Sequence, residues 1–189
     1  MPPRPRILIQ PYDDQWPAEL AAIESLLSRA LHGLAIRIDH IGSTSVPGLA
    51  AKDIIDVQVT VADLGDQRLT PAFEQLGAKA TNITTDHRPP GEQSQPSAWE
   101  KRYFRPPQSW RPTHLHVREE DRPNQRYALL FRDYLRHSPN AAATYSAIKT
   151  VLARLHPNDT EAYYDVKDPV CDLIMDAAER WAADVAWRL

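Results

Sequence analysis

The hydrophobic period of this 189-residue chain changes once, after Val117. Before that point apolar residues come in short runs broken by Gly, Pro, Ser and Thr, with two helical stretches among them. After it they recur every three or four positions, as on one face of a helix. Strands are therefore confined to the first part of the chain, and the last part is helical.

Apolar residues at Trp16, Leu20, Ile23, Leu27 and Leu31 predict an amphipathic helix over residues 16–31, begun by Asp13, Asp14 and Pro17 and ended by Gly33. Strands are expected at 6–10, 35–41 and 54–61, a short helix at 66–76, and a further strand at 78–83. Six of the 17 prolines fall between residues 86 and 112, so regular structure there must be short. Strands at 99–105 and 113–117, joined by a loop over 106–111, fit that limit. Tyr127, Leu130, Phe131, Tyr134 and Leu135 predict a helix over 124–137. Ser138-Pro139 opens the next, with Ala142, Tyr145, Ile148, Leu152 and Leu155 on its apolar face. Asn158 and Glu161 have capping-box spacing for a further helix. Asp168-Pro169 either kinks that helix or starts a new one over 169–186, the preferred reading, with Val170, Ile174, Ala178, Trp181 and Val185 facing inward.

Composition excludes several classes. One cysteine, Cys171, rules out a disulfide framework and a multi-cysteine zinc site, and its place beside an apolar helix face suits packing. A net charge of -3 argues against a general nucleic-acid coat. No apolar run approaches the roughly 20 residues that cross a bilayer, and the N-terminus does not read as a signal peptide. The expectation is a cytoplasmic protein with a small-molecule partner and no membrane or nucleic acid. Charge is uneven: residues 88–118 carry a local +4, and 159–189 a local -5. Either the acidic helices are solvated or face the basic segment, or the basic segment attracts an anion.

Two segments carry chemistry. In the first, a strand runs into Gly42-Ser43-Thr44-Ser45-Val46-Pro47-Gly48, where hydroxyls and backbone amides gather as in an anion nest. The P-loop spacing is absent. Beyond it, strand alternation puts Ile55, Val57, Val59 and Val61 on one face and Asp56, Gln58 and Thr60 on the other. A carboxylate in such a strand needs a partner, either a metal ion or a cationic side chain. In the second segment, Leu115 and Val117 face the core, so His114 and His116 share the opposite face. They are either two metal ligands or two hydrogen-bonded histidines. Arg126, Arg132 and Arg136 fall on the polar side of their helix and read first as solvated charge.

These residues resemble the GrpB family over nearly the whole chain. The likeness begins at Tyr12 to Pro17 and is strongest over residues 38–59 (IDHIGSTSVPGLAAKDIIDVQV). It returns at His114-Leu115-His116-Val117, at residues 131–136, at Tyr145 with Lys149, and at Ala162-Tyr163 with Lys167. That family is similar to the DNA polymerase beta-like nucleotidyltransferases. The resemblance implies an α+β fold: a small mixed sheet flanked by helices over residues 1–120, then a helical part over 121–189 packed on it as one compact unit. It also implies that Gly42 and Ser43, with Thr44, Ser45, Lys52 and Arg102, hold nucleotide phosphates. Asp56 would be the first metal-binding carboxylate. Gln58 stands where a second carboxylate is expected, and His116 where a third would fall. Asp56, Gln58, His114 and His116 supply too little negative charge for two magnesium ions and suit one softer cation, with Mg, Mn and Zn as candidates.

Three functions follow. One is a nucleotidyltransferase-like enzyme with Asp56 on a metal and His116 as ligand or base. Another is a nucleotide- or phosphometabolite-binding module that has lost catalysis, the role suggested by GrpB-like regions fused to dephospho-CoA kinases. The third is a single-metal phosphohydrolase.

Overall fold

A computed structural model describes residues 6–189. Its centre is a five-stranded mixed sheet in the order β1-β2-β5-β4-β3. The strands are β1 (Ala35–Ile41), β2 (Ile55–Val61), β3 (Lys79–Ala80), β4 (Arg102–Arg105) and β5 (Thr113–Glu119). β2 runs antiparallel to β1 and parallel to β5, and β4 pairs antiparallel with both β5 and β3. The fold is α+β, as expected.

The two faces of the sheet do different work. Ile55, Val57, Val59 and Val61 of β2, Leu115 and Val117 of β5 and Phe104 of β4 turn to one face. There they are covered by α1 (Trp16–Ala30) through Trp16, Ile23 and Leu27, and by α2 (Leu69–Gln75) through Leu69, Ala72 and Phe73. Phe73 and Phe104 stack at 4.1 Å between centroids. Burial of this many large apolar side chains is the main source of stability. The opposite face carries Asp56, Gln58, Thr60, His114, His116 and Arg118, and is roofed by the C-terminal helices. These are α3 (Pro123–His137), α4 (Pro139–Leu155) and α5 (Thr160–Asp184), whose own core joins Leu130, Leu135, Tyr145, Met175 and Ala178. No helix among the described residues is long and apolar enough to cross a membrane.

Several expectations are corrected. Residues 6–10 form no strand; a lone bridge joins Gln10 to Ala51. The strand expected over 78–83 is reduced to the two residues of β3, the α2 helix starts three residues late, and Trp99 ends a 3-10 turn (Pro96–Trp99) before β4. α5 is one helix with Pro169 inside it, and Asp159, not Asn158, caps it by accepting from the Ala162 amide at 3.0 Å. Its buried residues are Tyr163, Cys171, Met175, Ala178 and Ala182, and Val185 lies outside. On α4, Leu155 is exposed while Lys149 is buried, because the helix turns its amine toward the site and its last turn toward solvent.

The basic segment also resolves differently. Lys101 and Arg118 pair with Asp86, and Arg111 with Asp13 and Asp53. Three of its six cations are thus neutralised by carboxylates from the first part of the chain, and none of these three pairs involves the acidic C-terminal helices.

Candidate functional site

β1 ends at Ile41, and the chain turns at once. Gly42 adopts φ +68°, and a Cβ there would stand 2.3 Å from Asp56 Oδ2, so only glycine fits. Ser43–Ser45 then form one 3-10 turn. Inside it, Ser45 Oγ donates to Gly42 O at 2.6 Å. Thr44 Oγ1 donates to Ile54 O at 3.2 Å, so it accepts from His40 Nε2 at 2.9 Å. Burial lowers the His40 pKa to about 4, so that ring is neutral.

The helices grip this turn. Arg132 donates to His40 O at 3.0 Å, and Arg136 donates to Ser45 O at 2.8 and 3.0 Å. Both arginines are thus structural ties and not merely solvated charge. From α4, Lys149 Nζ donates to Ser43 Oγ and to Ala50 O, each at 2.7 Å. Burial, then the charge of Lys167, lowers the Lys149 pKa to about 7. Lys52 Nζ donates to Tyr164 Oη at 2.7 Å. Neither Lys52 nor Lys149 has a carboxylate partner among the described residues, whereas Lys167 approaches Asp168 at 3.3 Å.

The parallel register of β2 and β5 sets Asp56 beside His114 and Gln58 beside His116. His114 Nδ1 donates to Asp56 Oδ1 at 2.9 Å, and His116 Nε2 lies 3.7 Å from the same oxygen. Burial pushes the Asp56 carboxyl up, but the two imidazoles beside it outweigh burial and hold it well below the carboxylate range. Burial lowers the His116 pKa to about 4. Asp56, His114 and His116 each offer a ligand atom within 4.8 Å of the others. An ionised carboxylate and a neutral imidazole with a second one beside them are a donor set that fits one metal ion.

Gln58 does not join them. Its Oε1 accepts from Arg118, its Nε2 donates to Gln125 O at 3.2 Å, and the side chain is fully buried. Arg118 and Lys101 are themselves fixed on Asp86, with contacts of 2.8 and 2.6 Å. Burial pushes the Asp86 carboxyl up, and these two cations more than reverse it. Where the resemblance expects a second acid, this chain has a polar group spent on a guanidinium.

A cavity of about 300 Å³ joins these groups, with Gly42, Ser43, Thr44, Lys52, Asp56, His114 and His116 in its wall. Three residues named from sequence, Gln58, Ser45 and Arg102, stand outside it. Ser45 spends its hydroxyl on the turn, and Arg102 shares the face of Phe104, where it donates to Thr70 on α2 at 3.2 Å. Lys149, Lys167, Asn124, Tyr127 and Tyr163 also line the cavity. Of these, Lys149, Tyr163 and Lys167 had a signal in the resemblance alone, and Asn124 had none.

The GrpB protein family model matches residues 6–177. The chain belongs to the GrpB family. A GrpB protein of known structure, the conserved protein GrpB from Enterococcus faecalis, is 30% identical with a TM-score of 0.72, covering 92% of this chain and 99% of that one. A dephospho-CoA kinase of Mycolicibacterium paratuberculosis is 34% identical over 98% of this chain but only 49% of its own length. The UPF0157 protein PA4798 of Pseudomonas aeruginosa is 36% identical over 92% of this chain and 68% of its own. The chain thus spans about half the length of the kinase-named relatives it matches. A structure of Cid1 in complex with its short product ApU is similar at a TM-score of 0.45 and 15% identity over 76% of this chain and 41% of that one, too distant to bear on what this GrpB protein does.

Proposed function

We propose that this GrpB protein is a nucleotidyltransferase-like enzyme that moves a nucleotidyl group from a nucleoside triphosphate to an acceptor hydroxyl. One observation carries the reading: a single cavity is lined both by Ser43, Lys52 and Lys149 and by the Asp56, His114 and His116 cluster. The first set suits phosphate oxygens, since Lys149 is preorganised by two hydrogen bonds and Lys52 by one. The second set would hold one divalent cation, which supplies Lewis-acid charge to a phosphoryl oxygen when bound. In the reaction the bond from the acceptor oxygen to the α-phosphorus forms, the bond to pyrophosphate breaks, and the acceptor proton leaves. His116, neutral near pH 7, offers a ring nitrogen that takes this proton or holds the cation.

A second reading, a binding module without turnover, is favoured by the engagement of Gln58 with Arg118 in place of a second carboxylate. A thermal-shift screen of nucleotides with Mg, Mn or Zn separates the two, followed by a pyrophosphate-release assay. Metal-dependent stabilisation with pyrophosphate release, both lost in Asp56→Asn, is the expected outcome. Nucleotide binding without release, unchanged in Asp56→Asn, selects the module. Release of inorganic phosphate without nucleotide preference would overturn both in favour of a phosphohydrolase.

A further inference from the structure

The turn after β1 holds three hydroxyls, and the structure spends them differently. Ser45 Oγ gives its hydrogen to Gly42 O, and Thr44 Oγ1 gives its hydrogen to Ile54 O. Ser43 Oγ meets no carbonyl among the described residues. Its one side-chain partner there is Lys149 Nζ, 2.7 Å away. Ser43 is half-buried, Lys149 is buried, and both line the cavity.

Lys149 is held as a base would be. Ala50 O, which can only accept, takes one amine hydrogen at 2.7 Å and so orients the nitrogen. Burial first, then the charges of Lys167 and Lys52, bring its pKa to about 7 against the pull of Cys171 and Asp56. A large share of the amine is therefore unprotonated near neutral pH. In that form Nζ keeps a hydrogen on Ala50 O and turns its lone pair to Ser43, whose own hydrogen then points at nitrogen. A hydroxyl within hydrogen-bond reach of a base that a third group orients is the arrangement of an activated nucleophile, and serine with lysine is one of its forms.

The hydroxyl also stands close in the chain to the cation cluster. Ser43 follows Gly42, and a Cβ on Gly42 would lie 2.3 Å from Asp56 Oδ2. The backbone thus passes against the Asp56 carboxylate just before it reaches Ser43. Lys52, held by Tyr164 Oη at 2.7 Å, lines the same cavity and offers a positive charge to a leaving pyrophosphate.

We propose that Ser43 is itself the acceptor hydroxyl, taking the nucleotidyl group from the nucleoside triphosphate with Lys149 as its base. The inference rests on the nucleotide reading above and names the acceptor which that reading leaves open. Ser43 Oγ forms a bond to the α-phosphorus, the bond from that phosphorus to pyrophosphate breaks, and the hydroxyl proton passes to Lys149 Nζ. The products are a phosphodiester on Ser43 and free pyrophosphate. His116 is then left to hold the cation.

The test gives the full chain Mn and each of the four nucleoside triphosphates in turn, labelled at either the α- or the γ-phosphorus, and quenches it in acid during the first turnover. The α-label is expected to stay on the denatured chain, the γ-label to leave, and peptide mass spectrometry to place the nucleotide on Ser43. Ser43→Ala abolishes the adduct. Lys149→Arg keeps the positive charge and loses the base, so pyrophosphate still binds while adduct formation slows about a hundredfold or more. An adduct formed equally fast in Lys149→Arg, an adduct on another residue, or retention of the γ-label overturns the inference. Pyrophosphate release with no label on the chain overturns it and leaves the transferase reading standing. Nucleotide binding with neither release nor label overturns it and selects the binding module. Absence of binding by every nucleotide and by pyrophosphate overturns both. The site of the label in wild type is read even if Lys149→Arg does not fold.

Discussion

At Gly42 two independent constraints meet in one residue. Its backbone is in the left-handed region, and the space beside it is filled by the Asp56 carboxylate. At φ +68° and ψ -170°, a conformation essentially confined to glycine, Gly42→Ala incurs about 1–3 kcal/mol of backbone strain and forces Asp56 away from His114. The expected result is a lower Tm together with at least tenfold weaker Mn binding, measured by calorimetry against wild type. Lys149 offers a second test. With a pKa near 7, its ammonium loses its proton as pH rises through neutrality. Pyrophosphate affinity is expected to fall roughly tenfold between pH 6 and 8.5, about one pKa unit of interaction. In Lys149→Met the affinity is low throughout and this slope is absent.

At the scale of elements, alternation made much of the site legible. Asp56 with Gln58 and His114 with His116 were assigned to faces from a period of two, and the strands obey it. What alternation could not say is which strands pair. The parallel register that brings Asp56 beside His114 depends on a crossover through α2, β3 and β4, and no local pattern encodes it. Arg102 shows the same limit: its charge suggested phosphate, but its neighbour in the pleat is Phe104 and it points to α2. Lys149 was hidden for the opposite reason, since a lysine on a helix reads as solvent-facing unless its partners, Ser43 and Ala50, are known. In α5 the helix passes through Pro169 without ending, supported by burial of Cys171, Met175 and Ala178 beyond it. Its start depends on Asp159. Asp159→Ala is expected to lower stability by about 1 kcal/mol in urea unfolding, while Asn158→Ala leaves it nearly unchanged.

Across the whole molecule, two imidazoles are held neutral by burial. His40 and His116 both have pKa values of about 4 against an ordinary 6.5. The unfolded chain binds protons at these sites between pH 6.5 and 4 and the folded chain does not, so stability falls as pH drops through that window, by up to about 3 kcal/mol for each ring. Asp56 and Asp86 have lowered values, so their contribution is present above about pH 4 and is lost below it. Urea titrations at pH 7.5, 5.5 and 4.5 should show a falling midpoint. A flat midpoint would mean that neither ring is buried neutral.

The grip of α3 and α4 on the bend after β1 has a practical result. Guanidinium groups from one helix and an amine from the next bind the carbonyls of His40, Ser45 and Ala50. The bend therefore owes its shape to side chains that arrive some ninety residues later in the sequence. A fragment ending at residue 120 would keep every strand yet release the loop that carries Ser43, and no rescue by added ligand would be expected from it.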